Sequence, residues 1–161
     1  MFFMKILSIV EGANPRSGGM GLVGVPGIVR SLSKRGHETV LAIGGSSIYV
    51  VDGSPSENFQ ILRYCAYGRW AFAPTMLWKV RRNIQRVDFV MLHSVYSYPV
   101  LVGYFLARKF GKPYGLWPHG VLAPFQRRVS ARKKAVYNRF IANKILGRAS
   151  VLFFTSKGEL D

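Results

Sequence analysis

The stretch KILSIVEGANPRSGGMGLVG (5–24) holds an apolar run and then a literal G-x-G-x-x-G at 19–24. Near-continuous apolarity from Ile6 to Val10 reads as a strand covered on both faces, and the residues after the glycines read as a helix. A dinucleotide fingerprint sets its first glycine directly after the strand, so that the helix N-terminus meets the pyrophosphate. It also needs an acidic residue about 20 positions on to hold the ribose. Here EGANPRSG (11–18) separates Val10 from Gly19, and the next apolar run ends in AIGGSS, with no acid. Two of the three requirements fail, and no Gly-Lys-Ser/Thr follows to make a Walker loop. What remains is strand, irregular loop and helix. The pair Gly18 and Gly19 lets a ligand approach bare N–H groups, where the helix dipole favours a phosphate or carboxylate, and Arg16 can add a bidentate contact. Glycine pairs before helices are also often plain turns. Gly24 and Gly27 fall inside the helix and read as packing or a bend.

Outward from this stretch the chain alternates between two periods. Short apolar runs fall at KILSIV (5–10), TVLAIG (39–44), QILRY (60–64), DFVMLH (88–93), YGLW (114–117) and SVLFFT (150–155). Between them, segments 20–36, 73–86, 99–111 and 130–147 carry 3.6-type spacing, the first with Val23, Ile28, Val29 and Leu32 on one face. Gly36, Gly111 and Gly147 close three of them. The repetition implies an α/β fold: a Rossmann-like open, mostly parallel sheet flanked by helices, as one domain over residues 1–161. Residues 44–58, GGSSIYVVDGSPSEN, have no assignment beyond a loop or short hairpin.

Composition limits the function. The 161 residues are 49% hydrophobic and 19% charged, which describes a globular chain. The net charge of +16 sits almost wholly after residue 61, where 18 Lys and Arg face 3 Asp and Glu. Such a field favours an anionic partner, or serves solubility alone. Cys65 is the single cysteine, which excludes an intrachain disulfide and a thiolate zinc cluster; a buried, inert thiol is the expectation. The first run is broken by Lys5 and Glu11 too early for a signal peptide. Residues 89–107 lack formal charge, yet His93, Ser94, Tyr96, Ser97, Tyr98 and Pro99 divide them into strand, loop and amphipathic helix rather than a membrane span.

A second constellation is GKPYGLWPHGVLAPF (111–125). A strand running out into Pro118-His119-Gly120 sets an imidazole at the carboxyl edge of the sheet, where open α/β folds bind ligands, and Gly120 permits a sharp turn. Neutral His119 can donate and accept hydrogen bonds, which suits a sugar hydroxyl or a phosphate oxygen. A structural histidine in a turn explains the same residues.

These stretches, in this order, resemble the N-terminal domain of a GT-B glycosyltransferase, most closely the retaining family four. The resemblance runs through MKILSIV, P-x-x-GG (15–19), L-x-x-RGHE-x-x-V (32–40), DFVMLHS (88–94), ARKFGKPYGLWPHGVL (107–122) and RAS-VLFFTSKGE (148–159). It implies that the Gly18–Gly19 loop faces the diphosphate or sugar of a nucleotide-sugar donor. His119 then contacts the donor sugar or helps position the acceptor, while His93, Ser94, Tyr96 and Gly120 lie on the acceptor side. His37 belongs to a structural turn. No obligatory metal or bound cofactor is implied; basic side chains and helix N-termini meet the leaving-group charge. The family's Glu-x7-Glu pair belongs to a second, donor-binding domain and has no match here, since the glutamates are Glu11, Glu38, Glu57 and Glu159. The expectation is an acceptor-side domain, inactive alone, from a fragment, a split enzyme or a degenerate gene.

The basic excess suits a lipid-linked acceptor and a cytoplasmic chain peripheral to the inner face of a membrane, in cell-surface polysaccharide synthesis. Trp70, Phe72, Met76, Leu77 and Trp78 interleave with Arg81 and Arg82, and Arg127, Arg128, Arg132, Lys133 and Lys134 follow, as on interfacial helices. Equally, the apolar members are core and the cations a solvated face. A stand-alone basic module for membrane or nucleic acid is the rival, although no nucleic-acid-reading motif is present. A sugar-nucleotide epimerase of the same architecture is a third reading.

Overall fold

The computed structural model describes residues 3–12, 23–45, 58–68, 70–122 and 131–159, the side chains of 131–133 and 158 excepted. Gly18, Gly19, Arg16, Arg127 and Arg128, and most of the 44–58 stretch, lie outside the described residues.

Six parallel strands form one sheet: β1 (Lys5–Val10), β2 (Glu38–Gly44), β3 (Phe59–Tyr64), β4 (Phe89–His93), β5 (Tyr114–Trp117) and β6 (Val151–Leu152). Their spatial order is β3-β2-β1-β4-β5-β6. The chain winds outward from β1 to β3, crosses back, and winds the other way through β4, β5 and β6. Between them stand α1 (Val25–Lys34), α2 (Met76–Ile84), α3 (Tyr98–Lys109), and a last helical run. That run is α4 (Ala131–Tyr137), a π-helical turn (Asn138–Ala142) and α5 (Asn143–Gly147).

The strands that sequence patterning finds are those the sheet uses, because both faces are covered. Leu7 and Ile9 of β1, Val40 and Ala42 of β2, and Val90 and Leu92 of β4 pack into a large core with Met76, Val80, Ile84, Val100, Leu106 and Ile145. Val10, Leu41 and Ile43 turn the other way and meet Val25 and Val29 of α1. Polar pins fix the layers: the Tyr114 hydroxyl donates to the Ile145 carbonyl at 2.6 Å, and the Tyr64 hydroxyl to that of Val10. His37 is structural, its Nδ1 accepting the Met4 N–H at 3.2 Å.

Four expectations change. The run at 150–155 shrinks to a two-residue β6, because it is the sheet's edge and its Val151 and Leu152 are exposed. Helix α1 starts at Val25, leaving Val23 exposed; its inward face is Val25, Val29 and Ser33. Cys65 is exposed, because β3 is the opposite edge and the chain leaves it into solvent. Gly27 packs against nothing, for a Cβ there would meet no atom within 4 Å.

Gly44 is the contrary case. A Cβ at the end of β2 would collide with the carbonyl oxygen of Glu11 and stand 2.7 Å from Tyr64 Cε2 and 2.9 Å from Ala66 Cβ. A backbone oxygen cannot swing aside, so Gly44→Ala is expected to cost about 1–3 kcal/mol. Gly27→Ala, on an open helical position, is expected to stabilise by about 0.5–1 kcal/mol. Urea unfolding of the two variants beside the parent chain checks both signs.

Candidate functional site

In this order of strands the crevice between β1 and β4 is the topological switch point, and open sheets bind ligands outside the carboxyl ends of strands there. His93 is the last residue of β4 and pairs in register with Trp117, the last of β5. Just beyond, Ser94 takes a positive φ of 82° and donates its N–H to the Trp117 carbonyl at 2.9 Å, turning the chain out of the sheet toward α3. On the neighbouring strand, Pro118 leads into His119 and Gly120, with φ of 56° and 85°. Two successive positive φ values make a tight primed turn, closed by a 3.4 Å bond from the Val121 N–H to the Pro118 carbonyl.

These two exits bring together residues 26 positions apart. His93 Nδ1 and His119 Nε2 share a hydrogen bond of 2.9 Å, with near-parallel rings 5.1 Å between centroids. The Trp117 indole lies nearly parallel to His119 at 4.8 Å and to Phe153 at 5.4 Å. His93 is only 1% exposed, and burial, then the neighbouring His119, pushes its pKa down to about 3. Burial also lowers His119, to about 4, against an opposing pull from the Glu159 carboxylate. Both rings are therefore neutral near pH 7. One proton sits between them, so each ring has one nitrogen left over. His93 Nε2, His119 Nδ1, Trp117 Nε1 and Ser97 Oγ are buried and have no hydrogen-bond partner among the described residues. Neutral imidazoles of this kind can exchange hydrogen bonds with a hydroxyl or phosphate oxygen but cannot store a proton at pH 7.

The sequence places His93 and His119 in separate roles; the fold joins them. Ser94 contributes the backbone turn, and half-buried Tyr96 faces Tyr137 at 5.6 Å with Lys134 Nζ 4.8 Å from its ring. Lys134 thus turns inward over Tyr96 rather than lying on a solvated face. Gly120 donates its N–H to Glu159 Oε1. Glu159 has no role in the sequence reading: its carboxylate reaches Thr155 and the Gly120 N–H 39 residues earlier, a contact no local pattern announces. Across the crevice, burial raises the pKa of Glu11, the residue after β1. Among the described residues no group of three or more His, Cys, Asp or Glu could hold a metal ion.

The aromatic–basic stretch is not one helix. An antiparallel bridge joins Tyr67 to Phe72, and α2 begins only at Met76, which is fully buried. Trp70 and Phe72 rest edge-on against Tyr98 at 5.4 and 5.0 Å while remaining half in solvent. Trp78 is 70% exposed, and Arg81 and Arg82 of the same helix are exposed beside it. No helix among the described residues is long and apolar enough to cross a membrane.

The lowered histidine pKa values have a sign. The unfolded chain protonates near 6.5 and the folded chain only near 3 to 4, so the stability tied to neutral rings is full above pH 6.5. It is lost progressively as pH falls from about 6.5 toward 3, at about 1.4 kcal/mol per tenfold change in proton affinity. Glu11, raised by burial, works the other way: its carboxyl disfavours the folded chain increasingly as pH rises above the ordinary carboxylate value. Urea midpoints are expected to fall between pH 7 and pH 4.5, and His93→Asn, which keeps an amide near Nδ1, is expected to flatten that slope.

The profile of Glycosyltransferase Family 4 matches residues 24–161. No curated protein matches the chain. Among solved structures, a putative UDP-N-acetylglucosamine 2-epimerase from Listeria monocytogenes is similar at 15% identity and TM-score 0.58, over 98% of this chain and 40% of its own. MurG from Acinetobacter baumannii follows at 13% identity and TM-score 0.51, over 96% of this chain and 41% of its own. A wide-type short-chain dehydrogenase/reductase from Veillonella parvula, in complex with NADP, has 12% identity and TM-score 0.51, covering 94% of this chain and 68% of its own. At these identities the likeness is one of fold, and the chain spans about two fifths of the first two structures. With most of its length inside the family profile and a Rossmann-like sheet of GT-B kind, the chain belongs to Glycosyltransferase Family 4.

Proposed function

We propose that this chain is the acceptor-side domain of a glycosyltransferase that moves a sugar from a nucleotide-sugar donor to a glycan or lipid-linked acceptor. The observation that carries the reading is the neutral His93–His119 pair, with unpartnered ring nitrogens, beside the switch point of a family four sheet. His119 Nδ1 is the atom suited to a sugar hydroxyl or phosphate oxygen. Burial holds the ring neutral at pH 7, with its pKa lowered to about 4, which suits a hydrogen-bonding contact. The Gly18–Gly19 loop and Arg16 serve the donor diphosphate, and Ser94, Tyr96 and Gly120 border the acceptor. Turnover requires a donor-binding partner domain, and no obligatory metal enters.

The acceptor is lipid-linked, and the domain works peripherally on the cytoplasmic face of an anionic membrane in cell-surface polysaccharide synthesis. Support comes from Trp78, exposed beside Arg81 and Arg82 on α2, from the exposed rings of Trp70 and Phe72, and from a net charge of +16. Amphipathic rings and cations suit a headgroup layer, at roughly 1 kcal/mol per surface cation.

Two measurements test this. Ligand-observed NMR with nucleotide sugars and with polyprenyl-phosphate saccharides should detect binding of at least one class, weakened about three- to tenfold by His119→Ala, the loss of one hydrogen bond. Indifference of every compound to His119→Ala removes the ligand role. In sedimentation, vesicles containing phosphatidylglycerol should retain the chain and phosphatidylcholine vesicles should not. Trp78→Ser with Arg81→Gln and Arg82→Gln should weaken retention at least about tenfold. Tight oligonucleotide binding without lipid preference favours a basic nucleic-acid module instead.

A further inference from the structure

Glu159 is 3% exposed, yet its pKa lies below the ordinary carboxylate value. Burial pushes it up, and hydrogen bonds from Thr155, Gly120 and Leu122 outweigh that. A buried carboxylate without such donors would be costly. Its donors come from two distant places. Oε1 accepts the Gly120 N–H, while Oε2 accepts the Thr155 N–H at 3.0 Å and the Thr155 hydroxyl at 2.7 Å. A carboxylate, whose two oxygens only accept, satisfies all three donors; an amide keeps one accepting oxygen and sets its N–H group against the rest.

The turn held in this way needs holding. His119 is a non-glycine residue in the left-handed region, a conformation that costs on the order of 1–3 kcal/mol and persists only where the surroundings fix it. The turn's own closing bond, from Val121 to Pro118, is long at 3.4 Å. The Trp117 ring and His93 Nδ1 locate the imidazole, while Glu159 fixes the backbone immediately after it.

We infer that Glu159 is the positioning residue of His119. Its carboxylate ties the Pro118–His119–Gly120 turn to Thr155, keeping His119 Nε2 on His93 and leaving Nδ1 for the ligand. The ligand half of this statement rests on the function proposed above; the positioning half does not. Without the tie, the turn relaxes, the imidazole leaves His93 for water, and a buried ring nitrogen loses its partner.

The experiment reads the imidazoles directly, by long-range proton–nitrogen NMR of the 161-residue chain across pH, with the melting temperature recorded on each sample. In Glu159→Ala the ring signals of both histidines should move, and the His119 midpoint should rise toward 6.5 as the ring becomes solvated. In Glu159→Gln, which keeps one acceptor but loses the charge, the ring signals should stay nearer the parent and the His119 midpoint should not rise. A midpoint that rises in the first variant and not in the second separates positioning from general destabilisation. Parent-like ring signals and midpoint in folded Glu159→Ala overturn the inference. Should that variant fail to fold, Thr155→Val, which removes one donor, carries the test. Unchanged ring signals and an unchanged His119 midpoint there overturn it equally. Altered rings together with ligand binding indifferent to His119→Ala leave the positioning role standing and defeat only the ligand reading.

Discussion

Strand β1 has neither a face nor an edge left for water. Ile6, Leu7, Ile9 and Val10 are buried, and its backbone is shared between β2 and β4 in parallel register. A strand in that position requires helices on both sides and right-handed crossovers to reach its neighbours. With β2 and β3 laid out on one side and β4 to β6 on the other, the crevice at the carboxyl ends of β1 and β4 follows from topology. Chemistry collects there because the chain must leave both strands in opposite directions, exposing backbone and room that a continuous winding would cover.

The histidine pair shows what such an edge makes available. An imidazole held as deep as His93 is confined to its neutral form, and its hydrogen-bond partner among the described residues is another imidazole. The pair therefore acts as one hydrogen-bonding unit, whose shared proton decides whether the outer nitrogen of His119 donates or accepts. Either tautomer leaves both rings uncharged, so the outer nitrogen can change between donor and acceptor without a change in net charge. Trp117 and the Glu159 carboxylate restrain the outer ring in two different ways, one against its face and the other through the backbone beside it.

Much of the sheet is legible in the chain because it depends on local pattern. KILSIV, TVLAIG, QILRY, DFVMLH and YGLW are apolar on both faces and short, and each is a strand within a residue or so. What is not legible depends on neighbours far away in sequence. SVLFFT has the same composition as the inner strands, but pairing on only one side shortens it. Cys65 and Trp70 have the composition of core, and only the position of β3 at the sheet's margin turns their surroundings to solvent. The His93–His119 bond spans 26 residues and the Gly120–Glu159 bond 39, and no periodicity records either. His119 itself was readable, since Pro-His-Gly after an apolar run announces a turn at a strand's end.

The pairing of β1 with β4 also sets a schedule for the ribosome. Lys5 of β1 donates its N–H to Asp88, 83 residues later, immediately before β4 begins. At about 5–20 residues per second, roughly 4–17 seconds of synthesis separate the two partners. Within that interval β1 can pair with β2, and β2 with β3, while the other margin of β1 stays an open row of amides and carbonyls beside apolar side chains. The nascent chain thus passes through a half-sheet whose unfilled side is the place that β4 later takes. Protection of that side falls to whatever meets the chain as it emerges.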